Sequence, residues 1–167
     1  MTAVRPMIAL VLGAFLALGS AQIAGASEAD NDGEDEAKLR QCLEAVRKAN
    51  SDARACIGVV ADPCLEQPDR AGTDGMISCI DREITLWDRM LTDRFGNLIA
   101  HLDDEAGEQV RAVHDIWEDY RDKRCALGET LFPEDSLSHV WGADCVLQET
   151  GRRAIEISTL LDELNRD

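Results

Sequence analysis

The feature that most constrains the fold is an apolar stripe between Met76 and Leu102. Apart from the adjacent pair Cys79 and Ile80, its members recur every three or four residues: Met76, Cys79, Ile80, Ile84, Trp87, Leu91, Phe95, Leu98 and Leu102. This periodicity places them on one side of a single long α-helix. A helix of this length buries such a stripe only by packing on other helices, so the pattern predicts a helical bundle.

Other segments show the same periodicity. A shorter stripe from Ala37 to Asn50 predicts the first helix, and a short second helix from Ala53 to about Val60 would form a hairpin with it. After the long third helix, Val110 to Cys125 marks a fourth, ending near Gly128, and about Val140 to Leu164 marks the last. No alternating Val, Ile or Thr segment bounded by hairpin turns occurs. We therefore predict an all-α antiparallel bundle of four to five helices, with long third, fourth and last helices.

Two segments are predicted to interrupt the bundle. The first contains Pro63, Pro68, Gly72 and Gly75, and Thr73 or Asp74 is expected to cap the third helix after it. The second is a long loop from Glu129 to His139 around Pro133.

The start of the chain predicts export. Arg5 is followed by an uncharged apolar run from Met7 to Leu18, too short to span a bilayer comfortably, and Ala24-Gly25-Ala26 offers a cleavage site. Residues 1–26 are therefore interpreted as a signal peptide, and the mature protein is expected in the periplasm or outside the cell, with no stable membrane anchor. The acidic residues 27–36 predict a disordered leader. Residues 37–167 predict a single helical domain, beginning with a hairpin over 37–63.

Charge excludes several classes of partner. The chain has 17 Lys and Arg against 33 Asp and Glu, a formal net charge of −16. Nucleic acids and anionic membrane surfaces would be repelled, whereas a cationic protein would be attracted. Acidity also keeps an exported protein soluble, so charge alone does not establish a cationic partner.

Six cysteines in an exported chain predict three disulfides, with 15 possible pairings. No Cys-x-x-Cys pair and no zinc-like Cys/His spacing occurs, so neither a metal nor another cofactor is expected. His101, His114 and His139 have no catalytic partner pattern. We therefore expect no catalytic residues and interpret the protein as a non-enzyme.

Three patches resemble the LprI-like lysozyme inhibitors. They are Cys79-x-x-x-Glu83-x-x-x-Trp87-Asp88-x-x-Leu91, then Trp117-x-x-Tyr120-Arg121-Asp122-x-x-Cys125, and then Cys145 with Thr150-x-x-Arg153. The chain departs from the family pattern at Thr92 and Phe95, where the family usually has Asn and often Tyr. The resemblance implies an exported, disulfide-bonded helical domain with a family-like core over 64–164, and it suggests lysozyme binding.

The order of the patches implies a disulfide assignment. It pairs Cys125 with Cys145, Cys64 with Cys79, and Cys42 with Cys56; the alternative is Cys42–Cys64 with Cys56–Cys79. The polar residues within the patches form either a binding surface or, as we favour, a structural network in which Glu83 meets Arg121 or Arg153. These residues are Glu83, Arg121, Asp122, Thr150 and Arg153.

The loop held between Cys125 and Cys145 is the predicted contact region. Its candidate contact residues are Glu129, Phe132, Glu134, Asp135, Ser136 and His139. The interpretation that we favour over this one is a plain connector with Phe132 packed into the core. The leading hypothesis is an exported protein that occludes a lysozyme, or another cationic envelope protein, stoichiometrically. The competing hypothesis is a structural or accessory envelope protein with no lysozyme-related activity.

Overall fold

The computed structural model describes the backbone of residues 24–166 and the side chains of residues 32–166. The described chain is all-α. Its helices are α1 (Ala24–Lys48), α2 (Ala61–Leu65), α3 (Thr73–Ala100), α4 (Asp104–Cys125), α5 (Leu127–Leu131) and α6 (Leu137–Leu164), with 3₁₀ turns at Ala53–Cys56 and Pro68–Arg70. The third, fourth and last long segments of the prediction are thus α3, α4 and α6. Of the predicted signal peptide, only the last three residues lie within the described backbone.

The core lies mainly between α3 and α6. Trp87 is completely buried, and Ile80, Leu91 and Leu98 from α3 pack in the same cluster as Ile157 and other apolar residues of α6. The stripe that defined the third helix in the sequence is therefore the face that it buries. None of the described helices is long and apolar enough to cross a membrane.

The direction of α4 follows from its contacts with α6. The end of α4 is bonded to the first third of α6 through Cys125–Cys145. Val110, nearer the N-terminus of α4, and Ile157, nearer the C-terminus of α6, line one groove between the two helices. The two helices therefore run antiparallel.

Three disulfides link the pairs that the resemblance implied. Cys42 is bonded to Cys56, Cys64 to Cys79 and Cys125 to Cys145, with Cα–Cα distances of 5.8, 5.6 and 5.3 Å. The first two bonds flank the short segment 57–63 and tie it to α1 and α3. The third joins α4 to α6 across α5.

The acidic segment 27–36, for which the sequence predicted disorder, lies within α1 instead. At its end, Asp35 is buried and accepts a hydrogen bond from Arg82 Nε of α3 at 3.0 Å. This ion pair holds the middle of α1 against α3, a contact that local composition does not reveal.

Several predicted boundaries also change. The predicted second helix from Ala53 to about Val60 is only a 3₁₀ turn, and a helix forms at 61–65 despite Pro63, because proline is tolerated in a first helical turn. The residue at the N-cap of α3 is Gly72 and not Thr73 or Asp74. The predicted loop 129–139 is shorter, since α5 extends to Leu131 and α6 begins at Leu137.

Candidate binding surface

The segment between α4 and α6 presents a cluster of large apolar side chains to solvent. We call residues 127–141 the α5 projection. Phe132 is 61% exposed, so it is not packed into the core as the connector alternative required. Four more exposed residues belong to the same projection: Leu127, Leu131, Leu137 and Trp141. Single exposed apolar residues are common on soluble proteins, but a contiguous group of them marks an interaction surface.

These side chains surround a groove of about 350 Å³. Leu131, Phe132, Leu137 and Trp141 contribute its apolar lining, and Gly128 lies at its base. A Cβ atom at Gly128 would lie 2.6 Å from Cε3 of Trp141, too close for any real contact. The glycine is therefore what allows the indole ring to lie directly on α5 and form one wall of the groove.

The projection is ordered by its own hydrogen bonds and by a covalent link. Phe132 N–H donates to the Gly128 carbonyl at 2.8 Å, and Asp135 N–H donates to the Phe132 carbonyl at 3.1 Å. The Asp135 carboxylate in turn accepts from Leu137 N–H at 2.9 Å. The Cys125–Cys145 bond closes the projection at its base. A surface that is already ordered loses less conformational entropy when it binds a partner.

The projection also carries acidic groups, and Asp135 is among the residues that line the groove. Glu129, Glu134 and Asp135 are all exposed, and the Glu129 carboxylate lies 3.0 Å from His139 Nδ1, within hydrogen-bond distance. Ser136 is exposed in the same turn. The structure thus brings the six predicted contact residues into one exposed region.

The sequence analysis missed the apolar side chains that dominate the projection. Trp141 falls within the predicted last helix, and neither it nor Leu131 and Leu137 was singled out as a contact residue. The sequence did contain a signal for this surface, namely the density of large apolar residues near a proline. Within the 15 residues 127–141, which include Pro133, there are five of them: Leu127, Leu131, Phe132, Leu137 and Trp141.

Glu83 serves a different purpose from the predicted one. It is fully buried, and its Oε1 accepts hydrogen bonds from Gly58 N–H at 2.7 Å and Trp87 Nε1 at 2.9 Å. Its Oε2 accepts from Val60 N–H and Ala61 N–H, both at 2.8 Å.

The prediction that Glu83 meets Arg121 or Arg153 is therefore wrong. Gly58, at φ +105°, lets the backbone turn three N–H groups toward one carboxylate, which needs no arginine to satisfy it.

Arg121 and Arg153 meet instead at Trp117. Their guanidinium carbons lie 5.0 and 5.6 Å from the centre of its ring, within the range of a cation–π interaction. Arg121 pairs with Asp122 at 2.9 Å and Arg153 with Glu156 at 3.0 Å. The remaining member of the predicted network, Thr150, is fully buried, and its hydroxyl has no hydrogen-bond partner among the described residues.

His114 completes this aromatic cluster. Its ring stacks on Phe95, with centroids 4.2 Å apart, and on Trp117 at 5.3 Å. Burial lowers the pKa of His114, and the positive charge of Arg153 lowers it further. The imidazole is thus held neutral as a packing element between α3 and α4.

The described side chains include no group of three or more His, Cys, Asp or Glu residues placed to hold a metal ion. The α5 projection instead presents an ordered apolar surface with exposed acidic residues beside it. This combination suits binding to a protein that has apolar and basic groups on its surface.

Comparison with known proteins gives one match. The family model described as "Lysozyme inhibitor LprI" matches residues 64–157, which is 94 of 167 residues and more than half of the chain. The matched region includes the α5 projection and two of the three disulfides. No curated protein and no solved structure gives a significant match.

Proposed function

Because the chain belongs to the LprI family of lysozyme inhibitors, we propose that it is an exported protein that occludes a lysozyme stoichiometrically. The α5 projection is the surface that enters or covers the catalytic cleft of the target. The protein itself contributes binding and no bond-making chemistry.

The observation that carries this proposal is the exposure of the apolar residues on the projection. Leu131 and Phe132 are both more than 60% exposed, and Trp141 is 48% exposed. Aromatic side chains supply large contact areas and dominate binding energies when a partner excludes water from them. An apolar centre with a polar rim is also the usual anatomy of a protein–protein interface.

Charge supports a cationic target. The chain carries a net charge of −16, and the acids of the projection add a negative rim beside the apolar patch. Opposite charge accelerates the encounter, whereas the apolar centre slows dissociation. In the proposed complex, Ser136 and His139 donate hydrogen bonds to carboxylates of the cleft.

The test is a titration of the purified, oxidised protein against a cationic lysozyme at low and at physiological salt, with binding and residual muramidase activity both measured. Saturable 1:1 inhibition at physiological salt is the expected result. Phe132→Ser should weaken binding by about tenfold or more, as expected for the loss of a central aromatic contact. Ile116→Ser is the matched control, because Ile116 is 70% exposed but lies on α4 outside the projection.

Two outcomes would contradict the proposal. Binding that disappears at physiological salt would reflect charge attraction alone, since salt screens exposed charges. If Phe132→Ser and Ile116→Ser reduced the affinity for lysozyme equally, the projection would not be the interface. Either result would favour the alternative of a structural or accessory envelope protein.

A further inference from the structure

Two aromatic side chains and one carboxylate line the groove of the α5 projection. They belong to Phe132, Trp141 and Asp135, and the groove has a volume of about 350 Å³. Phe132 is 61% exposed and Trp141 is 48% exposed, so a ligand has access to both rings. The face of an aromatic ring is electronegative and attracts a cation. The lining of the groove therefore favours a ligand that is both apolar and positively charged.

The negative charge of the groove is not neutralised by a basic side chain. Oδ1 of Asp135 accepts a hydrogen bond from Leu137 N–H at 2.9 Å, and an ionised carboxylate has further acceptor positions. Residues 127–141 contain no Lys or Arg, and His139 pairs with Glu129. Among the described residues, neither Asp135 nor Glu134 forms an ion pair. The N-terminus of α6 beside them carries only about half of a positive charge, less than these two carboxylates supply.

Arginine combines the properties that this lining favours. Its guanidinium group is planar, stacks on aromatic rings and presents parallel N–H donors to a carboxylate. A lysine ammonium is more strongly hydrated and lacks the planar fork. The protein already contains this kind of contact, because the guanidinium carbons of Arg121 and Arg153 lie 5.0 and 5.6 Å from the centre of the Trp117 ring. The net charge of −16 also favours the approach of a cation.

We propose that the groove of the α5 projection binds one arginine side chain of the partner protein. The guanidinium group stacks on the aromatic lining and donates hydrogen bonds to the Asp135 carboxylate. This inference rests on the proposed function, since the groove lies on the surface proposed to cover the lysozyme. It adds the side chain that this surface recognises.

The experiment titrates the oxidised protein with N-acetyl-arginine amide at physiological salt, followed by NMR signals of the Trp141 indole and the Leu131 methyl groups. N-acetyl-citrulline amide has the same shape without the charge, and it should bind about fivefold more weakly, because an exposed cation–π contact and an exposed ion pair are lost. N-acetyl-lysine amide keeps the charge without the planar fork. It should bind about threefold more weakly than the arginine compound.

A matched pair of variants tests the location. Asp135→Asn removes the charge that lines the groove, and the amide oxygen still accepts from Leu137 N–H, so the turn is retained. Glu134→Gln removes the same charge one residue earlier, at an exposed side chain that is not part of the groove lining. Affinity for the arginine compound should fall about threefold or more in the first variant and remain unchanged in the second.

Any of three results would overturn the proposal. The first is citrulline or lysine amide binding as tightly as the arginine compound. The second is an equal effect of Asp135→Asn and Glu134→Gln, which would reflect the overall charge of the protein. The third is no saturable shift of the Trp141 and Leu131 signals.

The titration contains no lysozyme, so its failure is distinguishable from failure of the proposed function. If the arginine compound does not bind while lysozyme is inhibited at 1:1, only the assignment of the groove is wrong. If the arginine compound binds as expected while lysozyme is not inhibited, the groove recognises an arginine of another protein and the lysozyme proposal is wrong.

Discussion

Replacing Glu83 with alanine should be among the most damaging single changes to this fold. The carboxylate is completely buried and accepts four hydrogen bonds, three from the backbone at 58–61 and one from Trp87. The carboxylate binds the segment 57–63, which lies between the disulfides Cys42–Cys56 and Cys64–Cys79. These two bonds prevent the segment from moving far from α3 when the carboxylate is lost. The four donors would then remain buried without an acceptor.

The magnitude follows from these four donors. An unsatisfied buried donor costs about 1–3 kcal/mol, so the lower end gives a loss of about 4 kcal/mol. That is a large fraction of the 5–15 kcal/mol typical of a domain. Glu83→Gln keeps the volume and one acceptor oxygen, but its NH₂ group faces N–H donors. The glutamine variant should therefore lose about 2 kcal/mol, half of the alanine effect.

The assay is urea unfolding of the oxidised protein, followed by circular dichroism and tryptophan fluorescence. Asp88→Ala is the control, because Asp88 is an exposed acid on the same helix. It should change the free energy of unfolding by less than about 0.5 kcal/mol. Hydrogen exchange at Gly58, Val60 and Ala61 should accelerate in the Glu83 variants. A Glu83→Ala protein within 1 kcal/mol of wild type would refute the reasoning.

Three further predictions concern the projection and the aromatic cluster. Gly128→Ala should lower the free energy of unfolding by about 1–3 kcal/mol and weaken lysozyme binding, because the new Cβ atom displaces the Trp141 ring. Joint replacement of Cys125 and Cys145 by alanine should cost about 3 kcal/mol in urea unfolding and accelerate hydrogen exchange over 127–141. Acidification should destabilise wild type relative to His114→Phe. The folded-state pKa of His114 is lowered, so the unfolded chain binds its proton first as the pH falls through about 6.5, and stability decreases.

Each of these has a contradicting result. A Gly128→Ala protein that binds lysozyme as wild type does would show that the position of Trp141 is irrelevant to the interface. Unchanged exchange over 127–141 in the double alanine variant would show that hydrogen bonds alone hold the projection. A constant stability difference between wild type and His114→Phe from pH 7.5 to 5 would mean that the histidine has an ordinary pKa in the folded state.

Local pattern was sufficient for the class of fold. The stripe from Met76 to Leu102 predicted a long buried helix, and α3 buries Ile80, Trp87 and Leu91 along that face. Helical periodicity is a property of neighbouring residues, so it can be read without knowing what the helix packs on. The resemblance to a family-like core over 64–164 came from the same kind of local spacing, and the family model matches residues 64–157 of it.

Prediction failed where a residue's partner lies far along the chain. Glu83 was expected to meet an arginine, because a buried carboxylate needs a counterpart, but backbone N–H groups 22 to 25 residues earlier satisfy it. Composition alone predicted disorder for the acidic segment 27–36, but this segment is helical and Asp35 within it pairs with Arg82. Arg82 lies 47 residues further along the chain, so the local composition gave no sign of this pair. Backbone donors have no signature in a sequence, so such pairings emerge only when the chain is folded.

The sequence by itself determined that this protein is a helical, cysteine-linked and strongly acidic chain, because periodicity, cysteine number and charge are carried by the residues themselves. Only the tertiary structure decided which apolar residues stay in water. Trp87 and Trp141 both lie on helical stripes, yet Trp87 is completely buried and Trp141 is 48% exposed. The difference is that α6 covers Trp87, whereas the helix beneath Trp141 is only the five residues of α5.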